Sequence, residues 1–338
     1  MRAVVMKARG ELAVEEVAVP RPQAGEALVE VERCGVCGSD LITLAGGKRI
    51  SLPRILGHEF AGVIREVAGG KHYPFLPGDR VVAEPITGCG VCRSCRAGHY
   101  NVCNDRVILG VETDGAFARY VRVPLHNIVP VPDGVPVEEA ALVQPVAVVV
   151  HAVRRTRFQA GCNVAMLGAG PIGALLAIVS RAGGATKVVI SEPSVYRRAL
   201  MEKIGFITVD PAVGDTAAAA RSALAPGDEG FDVVFDAAGT QGTPTQAAEM
   251  VRAGGQVVLV AAYRNEPVLN IALARKREID YITSRAHNMD DFRASMALIA
   301  SRQVDVRPLV TEQIGLDRFP EAFRALASGT LMKVLGVP

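Results

Sequence analysis

The chain of 338 residues contains no tryptophan and few other aromatics, six Tyr and ten Phe, which disfavours a large aromatic binding pocket. It also has little net charge. Lys and Arg number 37 against 35 Asp and Glu, leaving +2. No basic block or basic face interleaved with aromatics is present, so nucleic acid is not an expected partner. Long apolar runs are missing too. The most apolar window, 140–153, is broken by Gln144, Pro145 and His151, short of the roughly 18 uninterrupted apolar residues that a membrane span needs. The opening stretch, MRAVVMKARGELAVEE, lacks the continuous apolar segment of a secretory signal. No membrane partner is expected, and the cytoplasm is the expected compartment. The seven cysteines are odd in number and mostly clustered, a pattern that favours metal binding over disulfides.

What the chain does have is apolar content and alternation. Hydrophobic residues make up 49%, enough for packed cores, and the length suggests about two domains at roughly 100–200 residues each. Up to about residue 136, short alternating runs such as GEALVEVERCG and GAFARYVRVP are divided by Gly and Pro. They predict a small antiparallel barrel or sandwich. From Val137 to Val153 the character turns helical and Ala/Val-rich. Beyond it strands and helices alternate, with apolar strands such as FDVVFDAAG and GQVVLVAAY that suit a doubly wound parallel sheet buried on both faces. After about Thr283 the alternation stops, and the tail reads as an amphipathic helix, a second helix and a last strand. There is no internal repeat.

Two stretches carry metal chemistry. The first runs from Cys34 to Glu59 and brings together a thiol (Cys37), a hydroxyl (Ser39), an imidazole (His58) and a carboxylate (Glu59). Three protein ligands of this kind leave one zinc position open, which is the mark of a catalytic site. The second, GCGVCRSCRAGHYNVC, spaces Cys89, Cys92, Cys95 and Cys103 as C-x2-C-x2-C-x7-C. Four thiolates close a tetrahedral zinc shell, so its expected role is to pin a loop. Iron–sulfur ligation competes, but the missing Cys-Pro and the long last gap argue against it. His99, inside the lobe, reads as a surface residue rather than a fifth ligand.

A third stretch has the pattern of a nucleotide-binding loop. Gly168-Ala169-Gly170-Pro171-Ile172-Gly173 follows an apolar strand and opens a helix, the setting that gives G-x-G-x-x-G its meaning. The first glycine permits the turn, the second lets backbone approach pyrophosphate, and the third lets helix and strand pack. The next strand ends at Glu192, an acidic residue placed to hold both ribose hydroxyls and repel a 2′-phosphate, so NAD is favoured. Arg197 and Arg198 follow on the next helix. An arginine there accepts the phosphate of NADP, or covers the adenine, or faces water.

The order CGVCGSD, GHE, four-Cys lobe, GAGPIG resembles the zinc-containing medium-chain dehydrogenase family over essentially the whole chain. Closest in style are its sorbitol, butanediol and threonine dehydrogenases. LGVETDGAFARYVRVP and ITSRAHNMDDF also look like the sugar-acid, L-galactonate branch. The resemblance implies an α/β architecture, with a GroES-like zinc catalytic domain over 1–148 and 287–338 and a Rossmann domain over 149–286. It implies oxidation of a secondary alcohol to a ketone with NAD, and a homo-oligomer, dimer or tetramer. By the same resemblance Cys37 and His58 are catalytic zinc ligands and Glu59 lies on or beside the metal. Ser39 passes the alcohol proton outward, and Asp40 orients a ligating imidazole. Cys34 is a neighbour, not half of a redox pair. Gln144 departs from the pattern, standing where the alcohol branch has Cys and the polyol branch usually Glu. It ligates through its carbonyl oxygen, holds the zinc-bound water, or only lines the pocket. Arg285 pairs with a substrate carboxylate, or binds the cofactor or bridges the domains, with His287 and Asn288 on the same surface. The alternative function is a zinc-independent NADPH reductase, or a cofactor-binding protein without activity, on the same fold.

Overall fold

A computed structural model describes residues 1–46, 50–70, 72–263 and 265–338. Two compact units divide the chain. One holds Met1–Ala147, His287–Arg302 and Val310–Pro338, the other Val148–Ala286 and Gln303–Leu309.

The first unit is built on antiparallel pairing. Strand Glu26–Gly35 pairs with Glu59–Ala68 over its whole length, so that Gly35 stands opposite Glu59 and Cys34 opposite Phe60. The last strand, Lys333–Val337, joins the same sheet through Leu335 opposite Gly35 and Gly336 opposite Cys34. The register shifts twice along this pair, between Leu28 and Val29 and between Val31 and Arg33, and Ala27, Leu28 and Val29 are all buried. Gly35 is required by close approach. A Cβ there would lie 2.4 Å from Glu59 Oε2. The helix Phe319–Ala327 is drawn into the core by Phe319, whose ring meets Phe117 edge-on with centroids 4.7 Å apart. Such a pair contributes about 0.5–1.5 kcal/mol beyond the area it buries.

The helical stretch at 137–153 breaks into Val137–Ala140 and Val143–Arg154. Pro145 sits in the first turn of the longer helix, where an amide N–H would have no helical acceptor.

The second unit is a parallel sheet of six strands. In spatial order they are Ile207–Val209, Lys187–Ser191, Asn163–Leu167, Phe231–Asp236, Val251–Leu259 and Asp280–Thr283. Counted along the chain this is 3-2-1-4-5-6, the order of dinucleotide-binding sheets, which reverses beside the first strand. The central strands are apolar on both faces because helices such as Pro171–Ala182 and Thr243–Met250 cover them.

Candidate active site and metal centres

Cys37 ends the loop that opens the short helix Gly38–Leu44, and its backbone N–H donates to Asp40 Oδ2 at 3.0 Å. The other Asp40 oxygen stands 3.5 Å from His58 Nδ1. One buried carboxylate thus braces both Cys37 and His58. Ser39 Oγ lies 3.4 Å from the opposite ring nitrogen, His58 Nε2, and is partly exposed. Glu59 opens its strand beside His58. Among the described residues, one donor atom each from Cys37, His58 and Glu59 lie within 4.8 Å of one another.

Charge surrounds this cluster. Burial pushes the His58 imidazole down, but the charges of Asp40 and Cys37 outweigh it and hold its pKa well above the usual range. The site favours a cation at the ring. Burial, with Asp40 and Glu59 adding to it, pushes the Cys34 thiol up, so Cys34 is a neutral neighbour. The fully buried Nδ1 of His58 makes no hydrogen bond of good geometry among the described residues.

Sequence reasoning missed Lys333. Its buried ammonium pairs with Glu59 Oε2 and donates to the Val36 carbonyl at 3.0 Å. Burial lowers its pKa, yet Glu59, Cys37 and Asp40 together hold it above the ordinary lysine value. A lysine on an apolar last strand was the available signal. A buried cation needs a buried anion, and Glu59 is two strands away in the sheet.

In the lobe, Cys89, Cys92, Cys95 and Cys103 also place their sulfurs within 4.8 Å of one another. Two of the separations are 3.9 Å (Cys89 to Cys95) and 3.8 Å (Cys92 to Cys103). Tetrahedral zinc with Zn–S bonds of about 2.3 Å requires sulfurs roughly 3.8 Å apart, so these residues fit that ion. Backbone N–H groups of Cys92 and Val91 pull the Cys89 thiol down to about 7, while burial pushes Cys95 up to about 12. Four sulfurs so close do not all ionise without a cation among them. His99 is exposed.

In the second unit, Gly168 has φ of 96°, and a Cβ on Gly173 would lie 1.9 Å from the Gly168 carbonyl oxygen. Gly170 caps helix Pro171–Ala182 without a side-chain hydrogen bond, and Pro171 and Ile172 open it. Amide groups at such an end suit phosphate. Glu192 is buried, and its carboxylate accepts N–H groups from Ala169 at 2.6 Å and Ser194 at 2.9 Å. It braces the glycine loop, and each oxygen keeps a further lone pair. Arg198 is committed to the carbonyls of Glu192 and Pro193 and to Asp210. Arg197 is not. Its Nη1 approaches to 3.9 Å of where a Gly170 Cβ would stand, and its buried Nε has no hydrogen-bond partner among the described residues.

Arg285 is exposed in the second unit. His287 and Asn288, expected on one surface with it, belong to the first unit. His287 is fully buried, and Asn288 caps helix Met289–Ala300 in a reciprocal pair with Asp291. The sequence could not reveal this, because burial of a histidine depends on the anion that meets it. Gln144 is buried, with Nε2 3.1 Å from His287 Nε2.

Residues 23–133 match the alcohol dehydrogenase GroES-like domain and residues 171–301 the zinc-binding dehydrogenase family. A 2-dehydro-3-deoxy-L-galactonate 5-dehydrogenase of Pseudoalteromonas atlantica is 34% identical over 89% of this chain and 88% of its own length. The chain belongs to the zinc-containing medium-chain dehydrogenases. The sorbitol dehydrogenase of Bacillus subtilis is 33% identical over 100% of the chain and 97% of its own. Among solved structures, one described as a zinc-binding dehydrogenase of Sinorhizobium meliloti 1021, bound to NADP, superposes with a TM-score of 0.91. It is 31% identical and covers 100% of this chain and 99% of that one. Membership of this family makes the protein an oxidoreductase of the zinc-dependent type.

Proposed function

We propose that the protein oxidises the secondary alcohol of a polyol, sugar or sugar acid to a ketone, using a catalytic zinc and NAD. The observation that carries this reading is the mixed cluster of Cys37, His58 and Glu59, with Asp40 and Lys333 holding its members in place. Cys37, His58 and Glu59 would hold the catalytic metal, with the Gln144 carbonyl oxygen turned toward it. Cys89, Cys92, Cys95 and Cys103 would hold a structural one. Bound zinc supplies Lewis-acid chemistry that lets a hydroxyl ionise near neutrality, and nicotinamide supplies the hydride acceptor. The rest falls to the chain. Asp40 keeps the His58 ring turned so that Nε2 faces Ser39. Ser39 Oγ accepts the proton of the substrate hydroxyl as it gives up its own and, being partly exposed, passes it on to solvent. Gln144, a neutral amide, takes no proton.

The glycine loop of 168–173 would cradle the pyrophosphate, and Glu192 with Arg197 the adenosine ribose. The acidic residue supports NAD; the NADP bound by the Sinorhizobium relative and the uncommitted Arg197 make NADP the necessary comparison. The sugar-acid and sorbitol dehydrogenase relatives support the substrate class, with Arg285 the candidate partner of a carboxylate. None of the seven cysteines is in a disulfide, which supports a reducing compartment, the cytoplasm. No helix of the described residues is long and apolar enough to cross a membrane. The free edge of strand Asp280–Thr283 in the parallel sheet supports assembly into a dimer or tetramer. A zinc-independent reductase would have no use for the Cys37 cluster.

The test is NADH absorbance with a panel of polyols, sugars, aldonic acids, butanediol and threonine, each with NAD and NADP, before and after chelation. A chelator-sensitive signal on a polyhydroxy substrate is expected. Turnover that survives complete removal of zinc would overturn the mechanism.

A further inference from the structure

A second buried polar group lies in the first unit, and the reaction above does not use it. His287 is fully buried, Glu84 is 3% exposed and Gln144 9%. Gln144 Nε2 stands 3.1 Å from His287 Nε2, and across the ring His287 Nδ1 stands 3.5 Å from Glu84 Oε1. The Glu84 carboxylate accepts from the Tyr100 hydroxyl at 2.7 Å, and that hydroxyl accepts the Met289 N–H. Tyr100 belongs to the four-cysteine lobe, where its Cβ and the Cys95 sulfur crowd Gly88.

The direction of the protons follows from what each group can do. A carboxylate only accepts. His287 Nδ1 makes no hydrogen bond of good geometry among the described residues, but Glu84 Oε1 is the acceptor it faces, and a proton placed on Nδ1 leaves Nε2 as an acceptor. Only the amide nitrogen of Gln144 can face that atom, so the carbonyl oxygen is turned away from the ring. Amide orientation is ordinarily an assignment made from the surrounding network, and with the proton on Nδ1 this is the one that fits. Among the described residues the Gln144 oxygen makes no hydrogen bond.

We propose that His287, fixed by Glu84 and Tyr100, is a positioning residue that presents the Gln144 carbonyl oxygen to the catalytic metal, and so ties the four-cysteine lobe to the reaction. The proposal rests on the reading that Gln144 faces the metal. It gives the lobe a task beyond pinning a loop, because the lobe holds the tyrosine that holds the glutamate.

Two substitutions separate the halves of the imidazole. In His287→Gln the side-chain amide reaches the place of Nε2 and can still accept from Gln144. In His287→Asn it reaches only the place of Nδ1, keeping Glu84 and losing Gln144. His287→Asn is expected to lower kcat by about 10–100-fold and to speed loss of catalytic zinc to a chelator by a similar factor, the usual cost of removing a ligand's support. The KM for NAD should stay within about twofold, and His287→Gln should recover most of both losses. In a Gln144→Ala background His287→Asn should add little, since coupled residues are not additive. Equal damage from His287→Asn and His287→Gln, or an undiminished effect in Gln144→Ala, would overturn the proposal. Glu84→Gln, which frees the ring to change tautomer, must move kcat and zinc loss in the same direction; if it leaves both unchanged the proposal fails even should His287→Asn not fold. A Gln144→Ala enzyme with wild-type rate and zinc retention would instead remove the reading beneath it.

Discussion

The four-cysteine lobe and the Cys37 cluster both gather donor atoms to within 4.8 Å, and they do so by opposite routes. The lobe works locally. Residues 89–103 fold back on themselves, and the N–H groups of Cys92 and Cys95 point at the sulfurs of Cys89 and Cys92. All donors are alike, and a closed shell follows. The Cys37 cluster draws on a helix N-terminus, the start of the strand Glu59–Ala68 and the last strand of the chain. Its donors are sulfur, nitrogen and oxygen, and charged partners brace its members: Asp40 beside Cys37 and His58, Lys333 on Glu59. The difference teaches what an open site requires. A shell closed by four equal ligands orients itself, whereas three unequal ligands with a free position must be oriented from behind.

The largest break in that comparison is Cys37→Ala. Losing the metal's stabilisation of developing charge is worth several kcal/mol, so turnover should fall by about 10³-fold or more. Lobe zinc should remain by metal analysis, and NAD binding by calorimetry should change little, since the glycine loop lies in the other unit. A variant that kept a tenth of its rate would show that the cluster is not where the chemistry happens.

The same contrast explains which parts could be read in advance. The lobe and the glycine loop are contiguous, so spacing alone exposes Cys89, Cys92, Cys95 and Cys103, and strand–loop–helix context exposes Gly168, Gly170 and Gly173. Cys37, His58 and Glu59 fall within one short stretch and were legible for that reason. Asp40, in the same stretch, was expected from the resemblance, but the distant supports were not. Lys333 lies 274 positions from Glu59, and His287 lies 143 from Gln144. Sheet register and burial create such pairs, and neither is written in local pattern. Glu192 was visible as an acidic strand end, while its two backbone donors depended on how the loop and the next helix fold around it.

Lys333→Met sharpens the comparison at the next size of effect. It strands Glu59 as a buried charge, and breaking a buried pair costs about 3–5 kcal/mol. The metal-free protein should therefore melt well below its parent. Bound zinc offers Glu59 a replacement cation, so added zinc should raise the melting temperature of the variant more than that of the parent. Turnover should fall by about tenfold as the carboxylate loses its fixed orientation. An equal loss of stability with and without zinc would make Lys333 a structural residue only.

Cys95→Ser is expected to have the smallest effect on the reaction, and it bears most directly on the contrast. Removing one sulfur opens the closed shell, so the lobe's zinc should be lost while the catalytic zinc stays. The melting temperature should drop by roughly 5–10 °C, the scale of a loss of a few kcal/mol in a chain of this size. Turnover at low temperature should fall by only about threefold, transmitted through Tyr100 and Glu84, because substrate chemistry never meets these sulfurs. An unchanged melting temperature would mean that the lobe carries no stabilising metal. A fall as large as that of Cys37→Ala would erase the distinction between a site that holds and a site that reacts. A small fall in kcat that disappears in a Gln144→Ala background would trace the path between them, from Cys95 through Tyr100 and His287 to the Gln144 amide.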